Sequence, residues 1–233
     1  MTTFALVHGG GHGGWCWERV VPLLESRGYQ VATPDLPIDD IKAGATQWAA
    51  AVVDALRGCG DDIVVVGHSM GGLAIPIVAT MRPLRHLVFL GALVPVPGRA
   101  FGDLMADYPD STTQQVLARL EYDDIGRVLM PRDVNRELFY GDCPIDVADR
   151  VWERLRPQAF TIFAENCPLL KWPDTPCSYI LMQGDRTVGP AWSRQIAPLR
   201  MGVTPIELPG SHSPFYSRPE LLVETLIACI PER

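Results

Sequence analysis

The sequence predicts an α/β fold, a mostly parallel sheet with flanking helices and an inserted helical segment. Three observations predict it. Short, nearly all-apolar runs recur along the chain, as strands covered on both faces require. Segments of helical periodicity separate them, and strand–helix alternation is the mark of parallel pairing through crossover helices. At 233 residues, with 47% hydrophobic and 20% charged side chains, the chain suits one large domain carrying an insertion better than two equal domains.

The expected strands are Phe4–Val7, Gln30–Thr33, Ile63–Val66, His86–Leu90, Tyr179–Met182 and Thr204–Leu208. Between the first two, Trp17, Val20, Val21 and Leu24 recur at helical spacing, Gly28 supplies a stop, and Pro22 should kink the helix. Thr46 is an expected N-cap for a helix with Trp48, Val52 and Leu56 on one face. Gly72–Met81 reads as an apolar helix bent by Pro76. The last helix opens on Ser217 and Glu220 at capping-box spacing and should bury Leu222, Leu226, Cys229 and Ile230. From Arg99 to Thr175 no convincing strand appears, while helical patterns do around Thr112–Leu120, Pro131–Tyr140 and Ile145–Arg156. The expected division is therefore a core of residues 1–98 and 176–233 with a helical cap at 99–175.

Gly67-His68-Ser69-Met70-Gly71 fits G-x-S-x-G between a buried strand and an apolar helix. A nucleophilic serine in such a turn is crowded by strand and helix, and glycines two residues either side relieve the clash. A serine hydroxyl needs a base. His212, in the turn after the last strand, can point back across the sheet edge, whereas His86 begins a strand and His68 points the wrong way. Asp185, in the loop after the fifth strand, is the expected partner that fixes the tautomer of His212; Asp35 and Asp174 are its rivals. The oxyanion of acyl transfer needs N–H donors: Met70 supplies one, and Gly10, with Gly9 and Gly11 as neighbouring choices, the other.

Other chemistries fit poorly. Net charge is -7, and no basic cluster interleaves with aromatics, which argues against nucleic acid. The Gly-rich loop lacks the companions of a nucleotide site, and the five histidines form no metal-ligand pattern, so no cofactor and no metal are expected. Ile63–Met81 lacks charge but contains His68, Ser69, a Gly pair and Pro76, so it is no membrane span. Six scattered cysteines and an N-terminus without signal-peptide features suit reduced thiols in the cytoplasm. Oligomeric state leaves no trace in the sequence.

Phe4-Ala-Leu-Val-His-Gly9, His12-Gly-Gly-Trp-Cys-Trp17, Gly67-His-Ser-Met-Gly-Gly72, Gly184-Asp-Arg186 and Gly210-Ser-His212 together resemble the α/β-hydrolase superfamily, and more narrowly its small esterase and hydroxynitrile lyase branch. The resemblance implies six parallel strands in the order 2-1-3-4-5-6, the triad Ser69, Asp185 and His212, and a small-molecule ester substrate. Lyases and carbon–carbon hydrolases of the branch, or a receptor on the same fold, remain alternatives. In the lyases a Lys follows the catalytic His and a Thr follows the His of the oxyanion loop; here Ser213 and Gly9 stand there. Some of Phe101, Phe139, Tyr140, Trp152, Phe160 and Trp172 should line a pocket for an apolar or aromatic substrate.

Overall fold

The structure, a computed structural model, describes residues 1–106 and 118–231. Its strands are β1 (Thr3–Val7), β2 (Gln30–Ala32), β3 (Ile63–His68), β4 (His86–Leu90), β5 (Glu121–Tyr122), β6 (Val128–Leu129), β7 (Cys177–Met182) and β8 (Ile206–Leu208). Six form one sheet in the order β2-β1-β3-β4-β7-β8, and every pairing in it is parallel. This is the expected order.

The apolar runs are explained by two covered faces. Ala5, Val7, Ile63, Val65, Leu87 and Phe89 pack into one core layer with Trp48 and Val78, while Phe4, Leu6, Val64, Val66, Val88 and Leu90 pack into the other with Trp17 and Leu222. Successive strand residues thus all meet apolar partners, each burial worth roughly 1.5–3 kcal/mol. No polar face is left to produce alternation.

Four helix expectations are corrected. Helix α1 (Val21–Glu25) begins just before Pro22, which sits in the first turn, where a missing N–H costs nothing; there is no kink. Helix α2 (Ala45–Ala55) starts one residue before Thr46; the N-cap is Gly44, whose N–H donates to Gln47 Oε1 at 3.0 Å, while Ala45 N–H donates to the Glu165 carboxylate. Pro76 likewise opens helix α3 (Ile75–Met81) after a tight turn over Ser69–Leu73, instead of bending a longer helix. At the C-terminus, Ser217 ends a short helix (Pro214–Ser217) and makes no cap; helix Pro219–Ala228 follows and buries Leu222, Val223 and Leu226.

Between β4 and β7 the chain leaves and rejoins the core side by side: Gly98 N–H donates to Cys167 O and Cys167 N–H to Arg99 O, both at 3.0 Å. This segment contains a strand pair that periodicity missed. β5 and β6 are two residues each, too short to alternate, and they are joined by a turn in which Asp123 Oδ1 accepts from Ile125 and Arg127 N–H and Gly126 takes φ +81°. Gln158 and Val128 exchange backbone bonds at 2.8 and 2.9 Å, adding a third stretch. The expected Pro131–Tyr140 helix is an α-turn at Arg132–Val134 running into a π-helical turn at Asn135–Phe139, and the next helix stops at Trp152. Most of the expected Thr112–Leu120 helix lies outside the described residues.

Strand order and register put the loops together. β2 and β3 lie on opposite sides of β1, so a crevice opens beyond the C-terminal ends of β1 and β3, where ligands bind in such sheets. Val7 is in register with Gly67, which brings Gly9 level with Ser69 two residues on.

Candidate active site

Ser69 follows the last residue of β3 at φ +52°, the only positive φ of a non-glycine residue among those described. Such a conformation costs about 1–3 kcal/mol and persists only where the surroundings dictate it. They do so here: a Cβ at Gly67 would lie 2.8 Å from Ile75 Cγ2, and one at Gly71 2.7 Å from the His8 carbonyl oxygen. Only glycine at both positions lets strand and helix approach closely enough to force the turn. Leu93 N–H donates to the Ser69 carbonyl at 3.0 Å and secures it from the next strand's loop.

β7 and β8 deliver the other two groups to the same edge. His212 Nδ1–H donates to Asp185 Oδ2 at 2.8 Å, and both side chains are buried. Asp185 Oδ1 accepts from Thr187 and Val188 N–H at 2.8 and 2.9 Å, so the carboxylate cannot rotate away. The partner carboxylate gives His212 the tautomer with its proton on Nδ1 and a lone pair on Nε2, and Nε2 makes no hydrogen bond among the described residues. His68 donates through Nε2 to the His212 carbonyl at 2.9 Å, with ring centroids 4.5 Å apart; it supports His212. The rival acids have other work. Asp35 accepts from Gly14 N–H at 2.7 Å, and Asp174 pairs with Lys171 on the surface.

Gly10 and Met70 line a pocket together with Ser69. A Cβ at Gly10 would lie 2.7 Å from Met70 Sδ, so the loop after β1 runs directly against the Met70 side chain. His8 and His12 in the same loop are buried, and burial lowers their pKa values to about 4 and about 3, with hydrogen bonds to Gly9 and Gly10 only partly offsetting it. In the unfolded chain these rings take a proton near 6.5. Between that pH and about 4 the unfolded state therefore holds more protons, and stability must fall as pH drops. Thermal melts are expected to show the melting temperature declining from pH 7 to about 5.5, above most of the range where carboxylates titrate. A level profile there would contradict buried neutral rings.

The pocket measures about 610 Å³ out to its open mouth. Its walls are mainly apolar, from Leu93, Leu120, Val128, Met130, Phe139, Phe160, Phe163 and Val188, with Arg156, Gln158 and Thr187 as polar exceptions. Of the six aromatics singled out in the sequence, Phe139 and Phe160 reach it. Phe101 packs on Phe163, Tyr140 bonds His12, Trp152 donates to the Met130 carbonyl, and Trp172 stacks on Phe89. Arg156 and Gln158 carried no sequence signal, because their partners Gly11, Leu36, Ile38 and Asp39 lie more than a hundred residues away.

Among the described residues no cluster of His, Cys, Asp or Glu could hold a metal, and no helix is long and apolar enough to cross a membrane. All six cysteines are free.

A family model described as "Alpha/beta hydrolase family" matches residues 4–225. The chain is 30% identical to a pyrethroid hydrolase of Sphingobium wenxiniae over 97% of this chain and 86% of that protein. It is 25% identical to methylesterase 2 of Arabidopsis thaliana over 97% and 94% of the two chains. Among solved structures, a pyrethroid hydrolase from Sphingobium faniae superposes with a TM-score of 0.81 at 27% identity, covering 97% of this chain and 96% of the other.

Proposed function

The chain belongs to the alpha/beta hydrolase family, and from that premise we propose that it is a serine hydrolase cleaving a carboxylic ester of a small apolar or aromatic substrate through an acyl-Ser69 intermediate. One observation carries the reading: the one positive-φ non-glycine residue among those described is a serine at an apolar pocket, at the sheet edge that also carries a buried His212–Asp185 pair. In the first step Ser69 Oγ adds to the ester carbonyl carbon while its proton passes to His212 Nε2. The carbonyl electron pair moves onto oxygen, to which the Gly10 and Met70 N–H groups donate hydrogen bonds. Collapse expels the alcohol oxygen, which takes the proton from His212, and water then repeats the sequence on the acyl-enzyme. The Asp185 carboxylate, bonded to His212 Nδ1–H, stabilises the imidazolium.

The named relatives support ester cleavage, and the pocket walls support an apolar group on the substrate. We take residues 99–175 as a cap over the core, since Phe139, Phe160 and Phe163 in that segment form much of the wall. Six free thiols suit a reducing, cytoplasmic setting.

An ester panel tests the reading. With p-nitrophenyl esters of graded acyl chains, and methyl esters of graded acids, kcat/KM should rise about three- to fourfold per methylene in at least one series until the pocket fills, matching roughly 0.8 kcal/mol per buried CH₂. A flat response in both, or preference for charged acyl groups, would count against it. Mandelonitrile separates the lyase alternative. Ser213 is fully buried and carries no charge, so it cannot hold departing cyanide as an ammonium could in a dry site. Cyanide release should not exceed that of Ser69→Ala; fast, Ser69-dependent release with negligible ester turnover would reverse the assignment.

A further inference from the structure

Two histidines hold the loop after β1 in the same manner. His8 donates through Nδ1 to the Gly9 carbonyl at 2.9 Å, and its Nε2 accepts from Leu36 N–H at 3.0 Å. His12 donates through Nδ1 to the Gly10 carbonyl at 2.7 Å, and its Nε2 lies 2.7 Å from the Tyr140 hydroxyl. A carbonyl only accepts, so each Nδ1 carries the proton. Burial keeps His12 neutral and raises the Tyr140 phenol well above its ordinary pKa, so the phenol retains its proton and donates it to Nε2. Gly11 is gripped as well: its N–H donates to Gln158 Oε1 at 3.2 Å, and its carbonyl accepts from Arg156 N–H at 2.7 Å.

These bonds decide where the Gly10 N–H points. In a planar trans peptide the C=O and N–H are opposed, so the bond from His8 to the Gly9 carbonyl aims the Gly10 N–H. The bond from His12 fixes the peptide on the other side of the same α-carbon. Without it, a Gly-Gly stretch has no side chain to limit its dihedrals. The Nε2 of His8 is bonded to the backbone of Leu36, whereas the Nε2 of His12, whose buried ring also packs on Trp15, His68, Phe139 and Phe215, is bonded to Tyr140, which lies between β4 and β7.

The neighbours of Tyr140 reach the other two loops. Glu137 pairs with Arg186 at 2.6 Å, and the Leu138 carbonyl accepts from Thr187 Oγ1 at 3.1 Å, beside Asp185. Phe139 packs 5.3 Å from the His212 ring, and Asp142 accepts from Ser211 Oγ. The six residues 137–142 therefore touch the loops after β1, β7 and β8.

We infer that Tyr140 and His12 are positioning residues: the Tyr140 hydroxyl, acting through His12, holds the Gly10–Gly11 peptide, limits the dihedrals of Gly10 and so keeps the Gly10 N–H facing the oxyanion formed at Ser69. The inference rests on Ser69 being the nucleophile. The cap is then part of the catalytic geometry as well as a wall of the pocket.

Tyr140→Phe removes one oxygen atom and leaves the ring in place. Turnover of a p-nitrophenyl ester is measured per active site, counted by exhaustive fluorophosphonate titration, so unfolded protein does not enter the rate. The expected result is kcat lowered about tenfold with KM within twofold, because the oxyanion exists only past the ground state. A trifluoromethyl ketone, which forms an oxyanionic adduct with Ser69, should bind about tenfold more weakly, while inhibition by the product carboxylate should not change. His12→Asn should show the same pattern, and the double variant should lose no more than the worse single one, as members of one chain of bonds do. Unchanged kcat in Tyr140→Phe alongside an inactive Ser69→Ala overturns this inference alone. An active Ser69→Ala overturns the reading beneath it. Losses confined to KM or to melting temperature, or additive losses, assign the pair a structural role and also overturn the inference.

Discussion

Ser69→Ala is expected to lower ester turnover by three or more orders of magnitude while melting within a few degrees of the parent. The fold should survive because the substitution leaves the cause of the strain untouched. Alanine at φ +52° meets the same backbone as serine, and the glycines at 67 and 71 that permit the turn remain. The Ser69 side chain lies at the pocket, so its loss leaves no buried donor behind. What disappears is the nucleophile, and the remaining Gly10, Met70 and binding contacts retain only the residual catalysis that such sites give over water. The companion measurement is mass-spectrometric mapping after a fluorophosphonate reaction. Ser69 alone should be labelled: Ser193 is bonded to the Tyr179 hydroxyl, Ser211 to Asp142, and Ser213 is fully buried. Label on another serine, or none on folded protein, would remove Ser69 from its role.

The sheet and the strained turn at Ser69 are legible in the sequence because each rests on local chemistry. A strand between two apolar layers must be apolar throughout, so Ile63–Val66 and His86–Leu90 stand out with no knowledge of their neighbours. The Gly67–Gly71 pattern is local for the same reason, since the clash it avoids lies within one turn. What failed depends on distant residues. In sequence Pro22 and Pro76 look like kinks because the helical pattern begins before them, yet the helices themselves start at Val21 and Ile75 after tight turns packed into the core. Thr46 lost its capping role to Glu165, which arrives from 120 residues away. Gln158 and Tyr140 hold the loop after β1 across 147 and 128 residues, and nothing beside either residue announces it.

The identity of the acid is decided by Asp185→Asn, expected to lower kcat by about four orders of magnitude at neutral pH with little change in fold. The size of the effect follows from what surrounds the carboxylate. Thr187 and Val188 N–H both point at Oδ1, at 2.8 and 2.9 Å, and require an acceptor there. The asparagine oxygen must therefore take that position, which turns its NH₂ toward His212 Nδ1. A donor cannot face a donor, so the imidazole is driven to the other tautomer, with Nδ1 accepting and the proton on Nε2. In that state His212 has no lone pair for the Ser69 proton, although every heavy atom stays in place. Asp35→Asn is the control. Its Oδ1 accepts one N–H from Gly14 at 2.7 Å, a bond that the asparagine oxygen can keep, so activity should stay within a fewfold of the parent. Near-normal turnover in Asp185→Asn with activity lost in Asp35→Asn would transfer the role to the acid after β2. Activity lost in both would show that the loop around Gly14 needs the Asp35 charge, and rates for Asp185→Asn measured at equal Ser69 labelling would then separate orientation of His212 from damage to the loop.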